Sequence, residues 1–67
     1  MTTYSAVGTA VFIVYQDKAS GYRWTLFAAN NKKIADSGEA YVTRSNAREA
    51  AELVKRLAPT ATIRDQY

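Results

Sequence analysis

Histidine, the usual catalytic base near neutral pH, and cysteine, the redox-active nucleophile, are both missing from this chain of 67 residues. Serine–histidine and cysteine–histidine catalysis, thiolate metal sites and disulfides are therefore excluded. Six carboxylates remain, and their spacing forms no tight acidic motif for a hard cation. They are Asp17, Asp36, Glu39, Glu49, Glu52 and Asp65. We predict a protein that is not an enzyme and uses no cofactor or metal ion.

Basic residues offer a second chemistry, the binding of phosphate groups. Nine Lys and Arg against six Asp and Glu give a formal net charge of +3, which mildly favours polyanions. The glycines are isolated, so no phosphate-binding glycine loop is present. The candidates for a nucleic-acid surface near the sheet and the helix start are Arg23, Lys32, Lys33, Arg44 and Arg48. The alternative, which we favour, is that these side chains only solubilise turns and exposed surface.

Three strands in succession are predicted for the first half of the chain. Residues 10–15 are a run of β-branched and aromatic side chains, and residues 17–21 supply turn-forming types. A second strand follows over residues 22–29. Asparagines at 30–31 favour a tight turn, which leads into a third strand over residues 33–37. The sequence therefore predicts an antiparallel meander.

A helix is predicted to follow the meander. Asn46 and Glu49 have the spacing of a capping box, which predicts a helix that begins at about Ala47. Pro59 should end it, and residues 60–64 should form a short closing strand. Apolar side chains three and four residues apart predict the face that packs on the sheet: Ala47, Ala50, Ala51, Val54, Leu57 and Ala58. The predicted class is α+β, with a three-stranded antiparallel meander, one helix packed across the sheet and a closing strand (βββαβ).

Strand alternation divides the meander into two faces. Phe12, Val14, Trp24, Leu26 and Ala28 are predicted to face the core, because successive side chains point to opposite sides of a sheet. The outward set is also apolar, and it consists of Val11, Ile13, Tyr15 and Phe27. An apolar patch of this kind is typical of an interface, so we predict that it is the contact surface of a homodimer.

Two alternatives to that dimer remain open. The closing strand, residues 60–64, can instead add to the sheet edge of a partner chain. In the other alternative the chain's own N-terminal segment, with Tyr4 and Val7, covers the outward patch.

The length of the chain predicts a single domain with a thin core. We expect a flexible N-terminal tail over residues 1–9 and one domain over residues 10–67. A chain this short buries only about 60% of the surface that its unfolded form exposes. With neither disulfides nor zinc available, self-association is the remaining source of extra stability. The longest apolar run, residues 10–15, is far too short to cross a bilayer, and we expect a cytoplasmic protein.

The order of these motifs resembles the YegP-like family of small domains. The resemblance lies in Phe12-Ile13-Val14-Tyr15 with Asp17-Lys18, Tyr22-Arg23-Trp24 with Leu26, Ala28-Ala29-Asn30, Ser37-Gly38-Glu39 with Tyr41, and Val54-Lys55 with Ala58-Pro59. It covers about residues 12–65. It implies the fold predicted above, and it implies that single-copy members pair to imitate members with two tandem copies. Ala40, Ala50 and Ala51 depart from the family pattern of glycines and a larger aliphatic residue, which makes the predicted helix face slimmer.

The family resemblance supplies no biochemical role. We therefore predict a small, non-enzymatic homodimeric protein that serves as a protein-interaction module. The alternative is a dimeric nucleic-acid-binding protein that uses a basic surface.

Overall fold

The protein is a three-stranded antiparallel sheet with one helix across it, in a computed structural model that describes residues 8–66. The strands are β1 (Val11–Gln16), β2 (Tyr22–Phe27) and β3 (Lys33–Asp36), and they lie in the order β1-β2-β3. The helix α1 (Arg44–Leu57) is followed by a 3-10 turn at Ala58–Thr60. The predicted meander and helix are confirmed, whereas residues 1–7 of the predicted N-terminal tail, with Tyr4 and Val7, lie outside the described residues.

The first hairpin is closed by the carboxylate of Asp17. Its Oδ1 accepts hydrogen bonds from the backbone amides of Ala19 and Gly21, both at 2.9 Å. Ser20, and not the glycine, takes the left-handed conformation, with φ of 73°. Gly21 is needed for space instead, because a Cβ there would lie 2.6 Å from the Cβ of Ala40. This turn sets the register of β1 against β2.

The core is small and is built around one aromatic residue. Trp24 is only 6% exposed and meets the Phe12 ring edge-to-face, with 5.3 Å between the ring centroids. Ala47 and Ala51 are buried on α1, and these short side chains allow the helix to lie close to the sheet. Ala28 completes the set of buried apolar residues in the described chain. The predicted core position of Trp24 is confirmed.

The helix begins three residues earlier than the sequence predicted. Thr43 is the N-cap, and its Oγ1 accepts a hydrogen bond from the backbone amide of Asn46 at 3.0 Å. The predicted capping box of Asn46 with Glu49 is therefore wrong, because both residues already lie inside α1. The extended backbone of Thr43, with ψ of 156°, is the conformation that a capping residue needs.

The predicted closing strand is not formed within the described residues of the single chain. Thr60 belongs to the 3-10 turn, and the amide of Ala61 donates to the carbonyl of Ala58 at 3.2 Å. Residues 61–66, which we call the arm, are exposed and form no ladder with any strand of the described chain. The 3-10 turn includes the first residue of the predicted strand, and the residues of the arm that follow are exposed. Leu57, predicted to face the sheet, is 53% exposed.

Candidate interaction surfaces

An open groove of about 520 Å³ lies between β1 and α1. Its apolar lining includes Phe12 and Val14 of β1, Leu26 of β2 and Val54 of the helix. Charged side chains of α1 line it as well, namely Arg48, Glu52 and Lys55. The sequence predicted these apolar residues as core, but they are only half-buried because nothing in the described chain fills the groove. The groove is therefore a region where the apolar core is only partly covered.

The groove runs beside an unpaired sheet edge. β1 pairs with β2 over six residues, from Val11 to Gln16, and has no second neighbour among the described strands. One side of its backbone therefore presents free amide and carbonyl groups. Such an edge is a template for a further strand. An incoming strand at β1 would add to the sheet with its backbone and reach the groove with its side chains.

The arm is an exposed segment at the other end of the described chain. It contains six residues, the same number as β1, so each spans about 20 Å when extended. Its central apolar residue, Ile63, is 97% exposed. Thr62 and Ile63 are β-branched and favour a strand. The sequence identified this β-propensity, whereas the unfilled groove is visible only in the folded chain.

The opposite side of the sheet is the outer face, formed by Val11, Ile13, Tyr15 and Phe27, with Thr25 among them. Val11 lies directly opposite Phe27, and Ile13 lies opposite Thr25. The three residues of β1 are 38–45% exposed, whereas Thr25 is only 7% exposed beneath its neighbours. The predicted grouping of the four apolar side chains on one face agrees with this register. Their role in a dimer stays a prediction.

Sequence reasoning missed one apolar residue at the outer face. Ile34 of β3 is 46% exposed and lies two residues before Asp36, which faces Thr25 across the strands. Strand alternation therefore places Ile34 on the outer face. The irregular register between Leu26 and Phe27 obscured this position in the sequence.

The cations of the outer face are paired with acids on the same face. The Nε of Arg23 lies 2.8 Å from a carboxylate oxygen of Asp17, and the Nζ of Lys33 lies 2.6 Å from one of Asp36. The hydrogen bond from Arg23 lowers the pKa of Asp17, and that from Lys33 lowers the pKa of Asp36. Both acids therefore remain charged at neutral pH, and the two pairs contribute no net charge to the outer face.

The five predicted nucleic-acid contacts do not form one surface in the single chain. Arg44 lies over the ring of Tyr22, with its guanidinium carbon 5.1 Å from the ring centroid. Tyr22 alternates with Arg23 along β2, so the Arg44 contact lies on the helix side of the sheet, away from Arg23 and Lys33. Arg48 lies at the groove, and Lys32 at the β2–β3 turn. A nucleic-acid role for these residues stays a prediction.

No ligand-binding cluster of acidic residues is formed within residues 8–66, where no three carboxylates come together in a way that suits a metal ion. In the same part of the chain, no helix has both the length and the apolar character to cross a membrane.

The fold and these surfaces define a small α+β domain whose edge strand and groove are open. Residues 17–65 match the family described as a domain of unknown function, DUF1508, and the chain belongs to this family. The predicted resemblance to YegP-like domains is thereby confirmed.

Relatives of similar length accompany the family match. The chain is 35% identical over 54 residues to UPF0339 protein NMB1088 of Neisseria meningitidis serogroup B, with 81% of this chain and 95% of the relative covered. UPF0339 protein NMA1193/NMA1859 of Neisseria meningitidis serogroup A matches with the same values. The NMR solution structure of a protein from Haloferax volcanii has a TM-score of 0.79 and 40% identity, covering 90% of this chain and 100% of the other.

Proposed function

We propose that this protein is a non-enzymatic interaction module that forms a homodimer by exchanging the arm. The observation that carries the proposal is that the described chain has both an exposed, unpaired segment of β-forming residues and an unfilled groove beside a free strand edge. In a twofold dimer each arm would pair with β1 of the partner and place Ile63 in the partner's groove. Because the dimer is twofold symmetric, the same arm-to-groove contact occurs twice, once for each chain.

Burial of Ile63 gives the largest favourable contribution to this exchange. Moving a fully exposed isoleucine side chain into an apolar groove is worth about 1.5–3 kcal/mol. Two arms are buried per dimer, so the pair of side chains contributes roughly 3–6 kcal/mol. Pairing of the two free edges adds backbone hydrogen bonds. Apolar burial and backbone hydrogen bonds across the dimer would thus add stability that the small core of one chain does not provide.

The predicted outer-face dimer has less support as the primary contact. With strands about 4.8 Å apart, two of them about 20 Å long and the four-residue β3 about 13 Å long, the sheet face covers roughly 250 Å², whereas a stable interface buries about 800 Å² on each partner. We therefore assign the outer face, with Val11, Ile13, Tyr15 and Phe27, to a further protein partner of the dimer. The cytoplasmic location expected from the sequence is kept in this proposal.

Sedimentation equilibrium tests the arm exchange. We expect the wild-type chain to sediment at twice its 7.4 kDa mass, and Ile63→Arg to sediment as a monomer. Ile63 is 97% exposed in the single chain, so the substitution cannot damage the packing of that chain. The matched control is Thr62→Arg, whose side chain points to the other side of the arm and should leave the dimer intact.

A dimer that survives Ile63→Arg but is broken by Ile13→Lys would contradict the exchange and support the outer-face geometry. A wild-type chain that stays at 7.4 kDa up to high micromolar concentration would contradict both.

Nucleic-acid binding is the second candidate function, and the charge pattern gives it less support. Arg23 and Lys33 are neutralised on their own face, and Arg44 and Arg48 lie on the helix. Phosphate contacts make affinity fall steeply as salt rises. Titration of a fluorescent single-stranded oligonucleotide at two salt concentrations tests this role.

A further inference from the structure

The charged wall of the groove has a pattern that an incoming arm must match. Arg48, Glu52 and Lys55 lie along one side of α1, because residues four and seven apart share a helix face. The charges of these three side chains alternate positive, negative, positive over about 10 Å along the helix axis. Arg48 lies 3.9 Å from Glu52, whereas Lys55 forms no ion pair within the described part of the chain. Lys55 is therefore the cation of the wall that is open to a partner.

The arm carries an acid on the side that would face this wall. Side chains alternate along an extended segment, so Ala61, Ile63 and Asp65 share one face of the arm. If Ile63 enters the groove, Asp65 follows it into the region of α1, about 7 Å further along the strand. Arg64 then points to the other face of the sheet. The face that meets the groove therefore has one large apolar residue, Ile63, and one negative charge, Asp65.

Resting on the proposed arm exchange, we infer that Asp65 of one chain pairs with Lys55 of the other and that this pair selects the partner and its register. Glu52 in the middle of the wall repels an acid, so an arm that slips along β1 would bring Asp65 towards a like charge. The occupant of the groove is a second copy of this chain. Its recognition pattern is an apolar residue followed two positions later by an acid.

A charge exchange between two variants tests the inference. In the Asp65→Lys homodimer, the lysine introduced on each arm faces Lys55 of the partner. In the Lys55→Glu homodimer, Asp65 of each arm faces the glutamate introduced in the partner's groove. Each homodimer therefore contains two like-charge contacts. Mixing the variants restores both opposite-charge contacts in the heterodimer, because each kind of arm then meets the complementary groove. We expect each single variant to raise the dimer dissociation constant by about tenfold or more. An equimolar mixture should form mainly heterodimers.

Native mass spectrometry resolves the three dimers by mass. The matched control replaces Lys55→Glu with Arg56→Glu, which makes the same charge change on a neighbouring exposed residue outside the groove. That control should not restore pairing with Asp65→Lys. The heterodimer preference of the true pair should also weaken in 1 M salt, since screening is then effective over about 3 Å.

The inference and the dimer fail in different ways. If Asp65→Lys and Lys55→Glu both dimerise as tightly as the wild type while Ile63→Arg does not, the arm is exchanged but the ionic contact is absent. If Arg48→Glu, and not Lys55→Glu, restores pairing with Asp65→Lys, the assignment to Lys55 is wrong. If Ile63→Arg leaves the dimer intact, the arm exchange itself is wrong.

Discussion

The N-cap of α1 gives a prediction that separates the structure from the pattern of the sequence. Thr43→Ala removes the oxygen that accepts the amide of Asn46 at 3.0 Å and leaves that amide without its partner. Loss of such a cap costs about 1 kcal/mol. In a domain of this size, 1 kcal/mol lowers the unfolding midpoint by about 4–8 °C. The loss spreads to the core because the first turns of α1 hold Ala47 against the sheet.

Two further variants make the measurement specific. Thr43→Ser keeps the hydroxyl, so its midpoint should stay close to that of the wild type. Asn46→Ala keeps the backbone amide that the cap uses and should have little effect. Thermal unfolding followed by circular dichroism at 222 nm, at one fixed protein concentration, gives all three midpoints. A fall for Asn46→Ala with no change for Thr43→Ala would refute the helix start described above.

Three other substitutions probe the core, the first turn and its charge. Trp24→Ala should lower the free energy of unfolding by about 3–5 kcal/mol in chemical denaturation, since it empties the centre of the core. Gly21→Ala should cost about 1–3 kcal/mol because its Cβ would meet that of Ala40, and adding Ala40→Gly should recover stability. Arg23 lowers the pKa of Asp17, so the stability from this pair is present above the unfolded pKa of about 3.9 and is lost as pH falls through the folded value. Asp17→Asn should therefore be less stable than the wild type at pH 7, with the difference shrinking towards pH 3.

The two faces of the sheet were predictable because alternation is a local property. Val11 and Ile13 point to one face of the sheet and Phe12 points to the other, because side chains alternate along a strand. The register with β2 keeps these two sets on separate faces. Trp24 was assigned to the core for the same reason. Gly21 shows the limit of this reasoning, because the sequence marks it only as a turn residue. The requirement for glycine comes from the close approach of Ala40, which is nineteen positions away in the chain.

The helix start was mispredicted because two capping signals lie close together. Asn46 with Glu49 has the spacing of a reciprocal box, whereas Thr43 has no Glu or Gln three residues later. A pattern search favours the fuller motif. In the folded chain Thr43 takes the extended conformation of a cap and its hydroxyl accepts the amide of Asn46, so the helix begins before the fuller motif.

The arm shows why local sequence cannot assign a strand to a sheet. Thr62 and Ile63 have β-propensity in any setting, and Pro59 ends the helix before them. Propensity says that the segment favours an extended conformation, but it does not say which chain provides the neighbouring edge. That depends on where the 3-10 turn at Ala58–Thr60 directs the chain, a property of the assembled fold.

The small side chains of α1 connect the thin core to the proposed dimer. Ala51 is buried against the sheet and also lines the groove, so its size sets both the closeness of the helix and the width of the opening. A large residue there would fill the groove from within and complete the core of a single chain. With alanine, Phe12 and Val54 stay half-buried, and they need an apolar side chain from elsewhere. In the proposed dimer Ile63, which is 97% exposed in the single chain, supplies that side chain from a second copy.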